Sequence, residues 1–260
     1  MSPAGPVRAL GALVLRSLRG LGRFALFTAS VLRAGSRPPL RLRRLVGEIY
    51  DAGVLSLLIV CVSGFAVGMV LGLQGHNTLS RFGAEESLGA VVGLSLIREL
   101  GPVLTSLLVA GRAGSAMAAE IAAMGVTEQL DGLRMMSVDP LDFVVAPKAF
   151  GMIVAMPLLS TLFVVFGILG GWTVGVALLG GDPGSYLSTL EQAVAFREDV
   201  VGGILKGVVF GLLVGFVATF RGYTARTTTA GVSAAATSTV VIASVATLIF
   251  DYFITALWGY

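Results

Sequence analysis

The sequence predicts an all-α integral membrane protein: an N-terminal interfacial amphipathic helix followed by five transmembrane helices. Three observations carry that prediction. Of the 260 residues, 55% are apolar and 13% charged, with a mean hydropathy of +0.90. Ordinary soluble domains carry about 25% charged residues, so lipid must cover part of this surface. The apolar residues gather in five long runs, and the basic residues gather on alternate connecting segments. This composition excludes an ordinary cytosolic enzyme, a disordered chain and a secreted disulfide scaffold. The single cysteine, Cys61, sits in an apolar run and has no partner for an internal disulfide.

Residues 1–48 form a basic segment and residues 49–260 one membrane domain. Residues 1–44 hold nine arginines and no acid, whereas the rest of the chain holds nine basic and fifteen acidic residues. No aromatic interleaving or nucleic-acid motif accompanies the arginines, so nucleic acid is not the expected partner. A basic front end followed by apolar runs marks a cytoplasmic, membrane-facing segment. Arg16, Arg19 and Arg23 interrupt any signal-peptide core. On a helix these three share one face, with Val14, Leu18, Leu21 and Ala25 roughly opposite, the pattern of a helix lying in the interface plane. Arg37-Pro38-Pro39 ends it, and Arg41, Arg43 and Arg44 lead into the first span.

A bilayer core needs roughly 20 apolar residues per helix. Residues 54–75, 88–111, 149–180, 200–220 and 234–258 meet this, interrupted only by Arg98 and Glu99, Lys206 and Asp251. Pro157 predicts a tilted or kinked third span. With a cytoplasmic N-terminus, inside segments hold fourteen Lys and Arg, among them Arg112, Arg134, Lys148, Arg221 and Arg226; outside segments hold only Arg81 and Arg197. That bias places Tyr260 outside. The longest connection, residues 112–148, leaves no room for a soluble domain. Glycines recur every fourth residue at 64/68/72, 167/171/175 and 203/207/211/215, ridges that let helices approach closely, within one chain or between two copies.

Three polar groups need a reason to lie where they do. Arg98 and Glu99 are adjacent within an apolar segment and are followed by Gly101-Pro102, where the helix is expected to break. Charged, irregular backbone at membrane depth is expected to line a cavity; the alternative is that residues 88–97 form a short re-entrant piece with the charges at the surface. Arg98 suits an anionic phosphate, and Leu96, Ile97, Leu100 and Val103 would supply apolar wall for acyl chains. The second group is the loop running from Glu120 through Thr127, Glu128, Asp131 and Arg134. Gly125 reads as a helix stop and Thr127 as an N-cap. Glu128, Asp131 and Arg134 then step along one edge, with Leu130, Leu133 and Met136 as an apolar strip beside them. This has the form of a docking helix or a solvated connector. Asp139-Pro140 with Asp142 opens the next helix. The third group is Lys206 and Asp251, each roughly 10 Å from the outer end of its span at about 1.5 Å per residue, and read as a structural ion pair.

No catalytic residues, metal ligands or cofactor are expected. A phosphate-binding Gly-x-x-x-x-Gly-Lys run is missing, metal-ligand clusters are missing, and the single histidine, His76, lies on the opposite side from Ser115.

The stretch from Leu96 to Pro147, together with FREDVVGGILKGVVFG, RGYTARTTTAGVSAAATSTVV and DYFITALW, resembles the MlaE/YrbE permease family. This family supplies the membrane subunit of MCE-type ABC lipid transporters. The resemblance covers about residues 45 to 260. It implies a permease of the bacterial inner membrane that pairs with a second copy of itself and is driven by separate ABC ATPase subunits. An MCE-domain ring on the periplasmic side, and in some systems a small STAS-domain protein, complete the assembly. The implied cargo is phospholipid, moved between the inner and outer membranes to maintain outer-membrane asymmetry. Glu120, Thr127, Glu128, Asp131 and Arg134 would couple to the ATPase, and Arg98 and Glu99 would lie near a lipid pocket at the dimer interface. The alternatives are a sterol or other hydrophobic cargo, a passive scaffold for the MCE ring, or a membrane-embedded lipid enzyme. The last lacks a nucleophile with a base at the same depth.

Overall fold

The computed structural model describes residues 4–35 and 42–258. Arg37-Pro38-Pro39, Arg41 and Tyr260 lie outside the described residues, as do the side chains of Val14 and Arg16. The described residues form helices joined by short turns, with no strand among them. In chain order these are α1 (Ala4–Gly35), α2 (Leu42–Ala52), α3 (Leu57–Leu79), α4 (Glu85–Val126), α5 (Gln129–Met135), α6 (Leu141–Leu178), α7 (Pro183–Ala193), α8 (Phe196–Tyr223) and α9 (Thr229–Trp258). Among the described residues, five segments are long and apolar enough to cross a membrane: α2 with α3 (Leu42–Phe82), α4, α6, α8 and α9.

The centre of the bundle is α6, which packs against α3 on one side and α8 on the other. Both contacts are made by the glycine ridges. A Cβ at Gly68 would collide with the carbonyl of Gly167 on α6, and one at Gly64 would lie 2.6 Å from the carbonyl of Phe163. On α8, a Cβ at Gly207 would reach 3.0 Å from Cα of Pro157, and one at Gly211 2.9 Å from Cα of Ile153. The ridges therefore serve packing within the chain. Without a hydrophobic driving force between helices in lipid, close backbone approach supplies much of the attraction. Helix α6 passes Pro157 without interruption.

The interfacial helix α1 meets the bundle along a different stripe from the one its arginine pattern predicts. Val31 and Ala34 are buried, while Phe24 and Phe27 stack edge-on against Phe220 of α8, with ring centroids 5.3 and 5.4 Å apart. Leu18 and Leu21 stay exposed, as expected for side chains that face acyl chains instead of protein.

Helix α4 also departs from expectation. It does not break at Gly101-Pro102. The chain winds into a π-helical turn over Leu96–Leu100 and continues as regular helix from Gly101, then takes a second π-turn over Ala110–Gly114 before ending at Val126. A π-turn admits one extra residue and widens the helix, a distortion that recurs at functional sites. A further π-turn, Phe196–Val200, opens α8 and packs against that of Leu96–Leu100.

Candidate functional site

The two facing π-turns carry the charges. Arg98 Nε donates to Asp199 Oδ1 at 2.6 Å, and Asp199 is fully buried. The other Asp199 oxygen accepts the Ala195 backbone N–H at 2.7 Å, so the carboxylate is held from both sides. Seven residues further along α8, Lys206 Nζ donates to Glu99 Oε2 at 2.7 Å, to Thr255 Oγ1 at 2.8 Å and to the backbone carbonyl of Arg98 at 2.8 Å. It also lies 3.1 Å from Asp251 Oδ1. Thr255 Oγ1 in turn donates to Glu99 Oε1 at 3.0 Å.

Pro102 accounts for one of these contacts. In an unbroken α-helix the N–H of residue 102 would be the partner of Arg98's carbonyl, and proline has none. The ammonium of Lys206 takes that place. The neighbouring carbonyl, of Ile97, faces Gly203, where a Cβ would approach it to 2.7 Å. The Gly-Pro step thus frees backbone acceptors on α4, and α8 meets them with a lysine and a glycine.

The predicted residues separate as follows. The structure brings Lys206 and Asp251 together but makes Glu99 the shorter contact. Lys206 lies ten residues from the start of α8, about 15 Å along its axis, because the helix begins at Phe196, ahead of the apolar run. Arg98 and Glu99 remain about a third exposed despite their partners. Ile97 and Leu100 are half-buried and Val103 is buried. Leu96 is fully buried, turned inward against Gly167, so it does not share the face that Arg98 and Glu99 present. Asp199 and Thr255 were missed. Two periodic signals could have found them: Asp199 stands seven residues before Lys206, and Thr255 four after Asp251, each pair on one helix face.

At the basic end of the bundle, α5 forms the predicted short helix but is capped differently. The helix before it runs past Gly125 to Val126, and Thr127 Oγ1 donates back to the carbonyl of Ala123 at 3.0 Å. The residue preceding α5 is Glu128, in the left-handed region with φ 58°, whose carbonyl accepts the Gly132 N–H at 2.9 Å. Thr127 therefore closes the preceding helix and does not cap α5. Leu130 is buried and Leu133 packs against the core, whereas Met135 and Met136 are exposed. Asp131 accepts from Arg134 at 2.6 Å, and Arg134 also donates to the Tyr223 hydroxyl, at the end of α8, at 2.7 Å. Asp139 Oδ1 accepts the Leu141 N–H at 2.9 Å, opening α6. Glu120 belongs to a separate group: Lys148 Nζ donates to its carboxylate at 2.8 Å and to Glu48 at 3.0 Å.

The model of the permease MlaE family matches residues 45–257. The chain belongs to the MlaE permease family. It is 47% identical over 253 residues, 96% of both chains, to the intermembrane phospholipid transport system permease protein MlaE of Haemophilus influenzae. It is 39% identical over 249 residues, again 96% of both, to a probable ABC transporter permease protein of Rickettsia bellii. It is 31% identical over 210 residues, 81% of this chain and 60% of the relative, to the chloroplastic protein TRIGALACTOSYLDIACYLGLYCEROL 1 of Arabidopsis thaliana. As an MlaE-family permease the chain is a multi-pass membrane protein, and the charged π-turns lie within two of its candidate membrane-crossing helices.

Proposed function

We propose that this permease is the membrane subunit of an ATP-driven phospholipid transporter, and that Arg98 and Glu99 hold the polar part of the lipid. The observation that carries the reading is a charged pair, left about a third exposed on a π-wound segment of an otherwise apolar helix. Buried Asp199 fixes Arg98 through Nε, and the fork of a guanidinium offers further donors suited to a phosphate. Lys206 holds Glu99 in place. Half-buried Ile97 and Leu100 are the apolar wall beside the pair, whereas Val103 packs into the core. The relatives that move phospholipid or act as ABC permeases support the same cargo and a separate ATP-hydrolysing subunit.

In this reading the basic end faces the cytoplasm of a bacterium and the Arg98 end faces the periplasm, by the distribution of Lys and Arg. The exposed edge of α5, with Glu128, Asp131, Met135 and Met136, contacts the ATPase. A second copy completes the lipid pocket, and an MCE-domain protein receives the lipid above it, with a STAS-domain protein as an accessory. Arg98→Ala and Glu99→Ala, each checked for correct assembly, test the site through photo-crosslinked or co-purified phospholipid and through transport. Loss of lipid with assembly intact is the expected result. Full lipid occupancy and transport in both variants would make the pair a structural brace.

A further inference from the structure

A second polar cleft lies at the opposite, basic end, between the end of α8 and the start of α9. It has a volume of about 410 Å³, and Arg221, Arg226, Thr224 and Thr228 are among its lining residues. None of its lining residues is acidic. No Asp or Glu occurs anywhere between Asp199 and Asp251. Neither arginine makes an ion pair among the described residues. Arg221 is pre-oriented: its Nε donates to Ser238 Oγ at 2.8 Å, which leaves the two terminal nitrogens of the fork unused.

The backbone adds donors. The first four N–H groups of a helix have no acceptor within it. In α9 the Thr228 hydroxyl accepts the Gly231 N–H at 3.1 Å, and the Thr228 carbonyl accepts that of Val232 at 3.1 Å. The N–H groups of Thr229 and Ala230 keep no acceptor among the described residues. An anion seated in the cleft would meet two guanidinium groups and the free amide of Ala230, which lines it, at the positive end of a 30-residue helix.

The apolar surface beside the cleft indicates where the anion comes from. Ala230 and Ala234 line the cleft, and at 100° per residue Val241, Val245, Leu248 and Tyr252 continue the same face of α9. All four of these larger residues are more than half exposed. A polar cleft leading onto a lengthwise apolar strip fits an amphiphile aligned with the helix. We infer that the Arg221/Arg226 cleft is a phosphate-ester site, filled by the headgroup of a membrane phospholipid whose chains run along α9. This site stands apart from the Arg98 region and does not depend on the transport reading.

Hydrogen–deuterium exchange of residues 224–232 in the full-length protein in detergent tests this directly. Three probes are added separately: phosphatidylglycerol, diacylglycerol and inorganic phosphate. Phosphatidylglycerol is expected to slow exchange at Ala230, and diacylglycerol, which lacks the phosphate, is not. Arg226→Gln removes a side chain with no hydrogen bond or ion pair among the described residues, and should weaken the lipid's effect by about tenfold in concentration. Ser238→Ala, which releases Arg221, should weaken it less. Arg98→Gln should leave the protection in place, which separates failure of this site from failure of the proposed transport site. Equal protection by inorganic phosphate alone would keep the phosphate site and overturn its assignment to lipid. Protection by diacylglycerol, protection unchanged in Arg226→Gln, or no protection by any probe would overturn the site itself.

Discussion

Two buried lysines organise opposite ends of this permease, and they are built alike yet serve differently. Lys206 of α8 is held by Glu99 of α4 and by Asp251 and Thr255 of α9. Lys148 of α6 is held by Glu48 of α2 and Glu120 of α4. Each ties three helices together. The Lys148 group is made between regular α-helical segments, and half of the Glu120 side chain reaches solvent. The Lys206 group grips a π-turn instead, and its lysine also replaces a missing backbone donor. The lysine there is 1% exposed while its partner Glu99 is 38% exposed, so one side of the cluster is sealed and the other open. A buried charge on regular helices acts as a brace. The same device on distorted backbone can hold a second charge at a surface where a ligand reaches it.

The largest expected effect is that of Lys206→Met. It leaves Glu99, Asp251 and the Arg98 carbonyl without their cation, and should cost about 3–5 kcal/mol of stability. Thermal unfolding of the purified protein measures this. Adding Glu99→Gln to Lys206→Met should recover part of the loss, and strict additivity would show the two are uncoupled. Lys148→Met should cost less, about 1–3 kcal/mol, because water can reach Glu120 once the lysine is gone. An equal or larger loss than at Lys206 would break the distinction drawn here. Pro102→Ala sharpens it further. The restored N–H competes with Lys206 for the Arg98 carbonyl, so stability should change by less than about 1 kcal/mol, while lipid occupancy falls as the π-turn relaxes. Unchanged occupancy would show that the π-turn does not position the pair. The smallest effect is expected of Tyr223→Phe, which removes one exposed hydrogen bond to Arg134 and should cost about 0.5–1 kcal/mol without altering the Lys206 cluster.

The fold was largely legible because its signals are local. Apolar run length finds the candidate membrane-crossing helices, whatever their neighbours are. The glycine ridges were also visible, but only the packing of Gly68 against Gly167 and of Gly207 against Pro157 showed that they close contacts within the chain. The polar residues were found one by one, each standing out against an apolar background. Thr127 misled because a threonine beside a helix end can bond forwards as a cap or backwards to the preceding turn, and the two differ only in backbone angle.

The sequence by itself determined that Arg98, Glu99, Lys206 and Asp251 lie within helices that water does not freely reach, because composition sets what can be placed in lipid. Only the tertiary structure decided their partners. Which side chains meet across a bundle depends on how each helix is rotated about its axis. Every π-turn adds a residue and turns all that follows by about 100°. Two such turns face each other here, at Leu96–Leu100 and Phe196–Val200. There Arg98 meets Asp199, and Glu99 meets Lys206 further along the same helix.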